Sequence, residues 1–143
     1  NSKRSLLVDI NYECSDEYIN FDILIVNSIP KSNQFKYSVA DFNAVIKTLN
    51  STFKVITTYK VPGVNCTTDD NLTLREIGKL SLFCKVIICI STGPSWMVLN
   101  KKNFDAGKPV LILHNGSEVV EFNSNSRVTS SLGQIIPFVN RFI

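Results

Sequence analysis

The residues whose types are best suited to chemistry are Ser91, Thr92, Gly93, Pro94 and Ser95, a run that ends at Trp96. Hydroxyls beside a glycine suit a phosphate-binding turn, because backbone N–H groups and hydroxyls donate while the missing Cβ lets an anion approach the chain. Pro94 fits the first turn of a helix, where its absent N–H would have had no partner. The same residues also make an ordinary strand-to-helix turn with a capping serine and a core tryptophan. A second candidate begins at Asn27 and Ser28 and continues through Pro30, Lys31, Ser32 and Asn33 to Gln34. Its amides, hydroxyls and ammonium would receive a polar, anionic ligand, or would simply form a turn. His114 is the single histidine, and so the one side chain that ordinarily titrates near neutrality. A structural hydrogen bond is its competing role. Asp69 and Asp70 offer a carboxylate pair for acid–base or metal chemistry, or a complement to the dipole of a following helix.

The elements that must position these residues can be read from periodicity. Phe21 to Val26 is a β-branched and aromatic run that reads as a buried strand, and Phe53 to Thr58 as a second. Between them Ser38 and Asp41 suggest a helix start, and Phe42, Val45, Ile46 and Leu49 recur at helical spacing. Pro62 to Asp70 reads as a loop. Thr73 and Glu76 form a capping-box pattern, with Leu74, Ile77, Leu80 and Ser81 as the helical face behind it. Lys85 to Ile90 is a nearly continuous apolar run of the kind covered on both faces of a sheet. Trp96 to Asn100 suggests a short helix, and Pro109 to Leu113 a fourth strand. The last stretch, 129–143, reads as a C-terminal helix with Leu132, Ile135, Ile136, Val139 and Phe142 aligned and Pro137 weakening its middle. Residues 1–20 hold a possible edge strand from Ser5 to Ile10.

Alternating strands and helices specify an α/β domain with a mostly parallel sheet, a Rossmann-like three-layer fold over residues 1–143. Ligands of such sheets bind at the carboxyl ends of the strands, near the point where strand order reverses. The loops that begin at Asn27, Thr58, Ser91 and His114 are therefore the ones expected to form a site.

Composition narrows the function classes. The chain has 143 residues, 44% of them hydrophobic and 19% charged, which suits one folded domain and excludes disorder, collagen and coiled coil. Fifteen Lys and Arg against twelve Asp and Glu leave a formal charge of +3. The basic residues are scattered among acids, so no nucleic-acid partner is expected. No apolar run reaches the roughly 18–20 residues of a membrane span. The four cysteines form no C-x-x-C pair, and with one histidine they make no zinc set, so no metal is expected. Cys84 and Cys89 lie in apolar surroundings and read as buried thiols of a cytoplasmic protein. Dinucleotide and ATP glycine loops and the hydrolase serine elbow are absent, which argues against those chemistries. A first residue other than Met suggests a piece of a longer chain.

The segment from Leu72 to His114 resembles the donor side of heptosyltransferase-like glycosyltransferases. In that family a helix of the form L-x-E-x-x-x-L, here Leu74, Glu76 and Leu80, leads into a strand. An aspartate, Ser/Thr-Gly, two residues and a histidine follow, then a strand of the G-K-P-V-L-I-L kind, here Gly107 to Leu113. The Asn27 to Gln34 loop is loosely similar to the family's sugar-nucleotide loop. The resemblance implies the C-terminal domain of a two-domain bacterial enzyme that transfers a glycosyl group to a polysaccharide or other acceptor, the missing N-terminal domain being its partner. It implies nucleotide-sugar as the donor, no other cofactor, and Thr92 and Gly93 on the donor phosphates. Ser91 stands where the family has Asp and Trp96 where it has His. Both departures point to a divergent glycosyltransferase-like protein with another donor, or with no catalysis. A non-catalytic Rossmann-like binding or interaction module is the alternative, and would leave the apolar stripe of the C-terminal helix uncovered.

Overall fold

In the computed structural model, residues 21–28, 37–90, 95–115 and 122–143 are described, the side chains of 70, 95 and 96 excepted. The possible edge strand at 5–10, Cys14, Lys31 and residues 91–94 lie outside them. Six strands form one all-parallel sheet: β1 (Ile23–Val26), β2 (Val55–Thr57), β3 (Asn65–Cys66), β4 (Val86–Ile90), β5 (Val110–Leu113) and β6 (Arg127–Thr129). Their order across the sheet is β3-β2-β1-β4-β5-β6, so the chain reverses direction of growth between β1 and β4. This is the doubly wound, Rossmann-like arrangement that the alternation leads one to expect.

The helices are α1 (Val39–Asn50), α2 (Leu74–Ser81), α3 (Ser95–Val98), α4 (Lys101–Asp105) and α5 (Ile135–Phe142). Local chemistry sets their starts. Ser38 caps α1 by accepting from the Asp41 N–H at 3.3 Å. Thr73 and Glu76 close a reciprocal capping box on α2, both bonds at 3.2 Å.

Every residue of β1, β4 and β5 is buried, which is what helices on both faces require. Alternate side chains feed two cores. Ile23, Ile25, Ile88, Ile90, Leu111 and Leu113 pack with Phe42 and Ile46 of α1 and Ile135 and Val139 of α5. Leu24, Val26, Ile87, Cys89, Val110 and Ile112 face the other way, toward Ile77 and Leu80 of α2 and Val98 of α3. Burying one such side chain stabilises the fold by roughly 1.5–3 kcal/mol.

Four expectations about the elements need correction. The stretch from Pro62 to Asp70 is not all loop, because Asn65 and Cys66 pair with Ile56 and Thr57 as edge strand β3. A 3₁₀ turn over Thr67–Asp70 follows, and Asn71 ends it in the left-handed region at φ 54°. The span 129–143 is not one helix: Arg127–Thr129 is a strand, Leu132–Gln134 a 3₁₀ turn, and α5 starts only at Ile135. Pro137 does not kink α5, because it sits in the first turn, where an N–H has no intrahelical acceptor. Leu74, assigned to the buried face of α2, is 51% exposed, and Gly78 is buried in its place beside Ile77, Leu80 and Ser81.

Candidate functional site

The strand register brings the carboxyl ends of β1, β4 and β5 to one row. Val26 pairs with Cys89 and Ile90 with Leu113. Asn27, the end of β4 and His114 therefore follow one another across the reversal between β1 and β4. Ser91, Thr92, Gly93 and Pro94, which follow Ile90 in the chain, lie outside the described residues. Lys31 likewise belongs to an undescribed stretch, 29–36. Helix α3, which Ser95 opens, is only four residues long. A helix of one turn carries little macrodipole, so any anion binding here depends on individual N–H and hydroxyl donors.

Asn27 is nearly buried, at 6% exposure. Its amide nitrogen donates to the Tyr59 carbonyl at 3.1 Å, and its amide oxygen accepts from the Tyr59 N–H at 2.8 Å. The side chain thus ties the end of β1 to the end of β2. Ser28 Oγ and Thr58 Oγ1 share a further hydrogen bond at 3.2 Å. Both residues have partners in the protein and act on the site by positioning its loops. His114 is half-buried directly after β5, and its backbone N–H donates to the Thr129 carbonyl at 3.0 Å.

The acidic pair has a structural role in Asp69. Its carboxylate accepts from the Cys66 N–H at 3.1 Å and pairs with Lys60 at 3.3 Å. It serves the 3₁₀ turn and not the helix after it. Among the described residues no group of three His, Cys, Asp or Glu side chains is placed to hold a metal.

Several residues around the site are not apparent from spacing alone. Beneath α3 lies a buried polar network of Ser81, Asn100 and Asn103. Asn103 donates to Ser81 Oγ at 2.9 Å and to the Val98 carbonyl at 2.8 Å, while Asn100 donates to the Met97 carbonyl at 2.9 Å. The last carbonyls of α3 are thereby satisfied by amides, which locks this one-turn helix against α2. The sign available in the sequence is Asn100-x-x-Asn103, a capping pattern confirmed by the Asn103 N–H donating to Asn100 Oδ1 at 2.9 Å. Lys108, in the G-K-P motif, donates to the carbonyls of Leu82 and Cys84 after α2. Burial lowers its pKa from the ordinary lysine value. Its part is to hold α2 to the start of β5, far from the carboxyl edge.

At the β1–β2 side of the edge a small hollow of about 40 Å³ is lined by Asn27, Tyr37, Val39, Phe42, Tyr59 and their neighbours. Burial, and then the nearby Tyr59, push the Tyr37 phenol above its ordinary pKa. Half-exposed Tyr59 offers a ring face there, a feature that a lone tyrosine after a strand does not announce.

No protein-family model, curated protein or solved structure matches the chain. Among the described residues no helix is long and apolar enough to cross a membrane.

Proposed function

We propose that the chain is a nucleotide-sugar binding domain of a glycosyltransferase-like protein, serving glycosyl transfer from a nucleotide donor to a polysaccharide or other acceptor. The observation that carries this reading is the reversal of strand order between β1 and β4, which brings Asn27, the end of β4 at Ile90 and His114 to one edge. Sheets of this order bind ligands in the crevice at that point. In this reading Thr92 and the backbone at Gly93 hold the donor diphosphate, Lys31 adds charge, and Asn27 and Ser28 keep the neighbouring loops in place. Neutralising the leaving diphosphate is the electrostatic contribution such a turn makes to transfer. The general base and the acceptor site belong to a further domain.

One sign that would favour the alternative, a non-catalytic interaction module, is an uncovered apolar stripe along the last helix. Ile135 and Val139 are fully buried, with Leu132, Ile136 and Phe142 packed against the same core, so that stripe is already covered within the fold. This favours the donor-binding reading.

The test is a titration of the chain with uridine, adenosine and guanosine diphosphates, followed by amide chemical shifts and by thermal unfolding. At least one is expected to shift the resonances flanking residues 91–94, and to raise Tm. Gly93→Val is expected to abolish the response, because a branched Cβ fills the space a phosphate needs against the backbone. Silence toward all three nucleotides, or a response that survives Gly93→Val, overturns the reading.

A further inference from the structure

At the outer edge of the sheet a cleft of about 510 Å³ lies between β6 and α5. Its volume is in the range of small-molecule sites, roughly 300–1,000 Å³. Leu111 pairs with Arg127 in register, so both point to the sheet face that carries α5. Helix α5 turns inward, and packs against α1 and β4. The same face of β6 is therefore left beside the helix, and Leu111, Pro137 and Phe138 give the cleft its apolar part.

The polar lining is basic. Arg127 and Arg141 both line the cleft, with Thr129, Ser131 and Gln134, and among the described residues no carboxylate lines it. Neither guanidinium has an acidic partner among the described residues. Both are nevertheless held in place. Arg127 Nη1 donates to the carbonyls of Ser126 at 2.7 Å and Ser124 at 3.4 Å, and Arg141 lies over the Phe142 ring at 5.5 Å from its centroid. Two guanidinium groups lining one cleft give an anion two cationic partners. A carboxylate would neutralise one of them. A phosphate monoester, at about −1.5 to −2 near neutral pH, matches both, and guanidinium groups suit its geometry.

We propose that this cleft is a binding site for an organic phosphate, a phosphomonoester carried on an apolar body. The ester's oxygens lie toward Arg127 and Arg141 and its body on Leu111, Pro137 and Phe138. These lining residues are not those of the proposed donor crevice, and the site's existence does not depend on that reading.

The probe is phenyl phosphate, titrated into the full chain at low salt and followed by amide chemical shifts. Saturable binding at about 1 mM or tighter is expected, with shifts at Thr129, Ser131 and Gln134. Phenylacetate, with one charge, and inorganic phosphate, with no apolar body, are each expected to bind at least about ten-fold more weakly. Arg141→Gln should weaken phenyl phosphate by a similar factor. Gln134→Glu is the second variant: the side chain is exposed and bonds to nothing among the described residues, so the fold is kept while a like charge enters the cleft. It too should weaken binding about ten-fold or more. The proposal is overturned by failure to saturate at about 20 mM. It is equally overturned by binding that both variants leave unchanged, by equal binding of phenylacetate or inorganic phosphate, or by shifts confined to the neighbours of residues 91–94.

Discussion

The amide of Asn27 extends the pairing of β1 with β2 by one rung beyond the last residue of the strand, because a side chain supplies both the donor and the acceptor that a backbone unit would. That makes Asn27 the residue on which the shape of the β1–β2 edge depends most directly. Removing the amide leaves the part-buried Tyr59 N–H without its partner, while the Tyr59 carbonyl keeps the Thr57 hydroxyl at 2.9 Å. Such a loss costs about 1–3 kcal/mol. Asn27→Ala is therefore expected to lower unfolding free energy by about 1–3 kcal/mol in urea titrations. Tyr59 amide exchange should speed up more than that of Ile56 inside β2. A loss below about 0.5 kcal/mol would show that water replaces the amide without cost. The residue type in the sequence announces a polar group at a strand end. Whether it serves ligand or backbone depends on what lies opposite, 32 positions along the chain.

At the scale of elements, legibility followed length. β1, β4 and β5 are continuous apolar runs bounded by polar residues, and each lies within the stretch that periodicity marks. β3 and β6 escape because two or three residues, Asn65–Cys66 and Arg127–Thr129, are too short and too polar to show a period of two. Their pairing is set by neighbours already in the sheet. The capping box at Thr73 and Glu76 was readable because it is purely local. Helix α3 depends on distant partners, the amides of Asn100 and Asn103 and the hydroxyl of Ser81, and only its approximate place could be read. This gives the network a measurable consequence. Asn103→Ala removes donors to Ser81 and Val98 in a site 1% exposed. A loss of about 2–3 kcal/mol is expected. Hydrogen exchange at α4 and at Met97 and Val98 should accelerate ahead of global unfolding, as befits an element tied down by side chains. Uniform acceleration across β4 and β5 as well would mean that the network supports the whole fold and not α3 in particular.

The whole molecule is a parallel sheet closed between two layers of helices, and its central strand holds an ionisable group with no access to water. Cys89 lies in the middle of β4, fully buried, facing α2 and α3. Burial pushes its thiol from an ordinary value of 9.0 to about 12. In the unfolded chain the thiol loses its proton from about pH 9 upward, whereas the folded chain keeps it to about 12. Between those limits the unfolded state binds fewer protons, so stability falls as pH rises; the contribution is complete below pH 9 and is lost through the folded pKa. The slope that belongs to this thiol approaches about 1.4 kcal/mol per pH unit. Tyr37, raised by burial, adds in the same direction, and Lys108, lowered by burial, opposes it. Both are present in a Cys89→Ala chain, so comparison of the two chains isolates Cys89. The variant is expected to be less stable at pH 7.5 by about 1–2 kcal/mol, from the lost sulfur contacts and the small cavity. Urea titrations under reducing conditions at pH 8, 9 and 10 should then show that deficit shrinking toward zero, because the wild-type chain loses the Cys89 contribution, about 1.4 kcal/mol by pH 10, and the variant has none to lose. Parallel curves across that range would mean that ionisation of Cys89 does not govern alkaline unfolding, and that water reaches the centre of the sheet more readily than its packing implies.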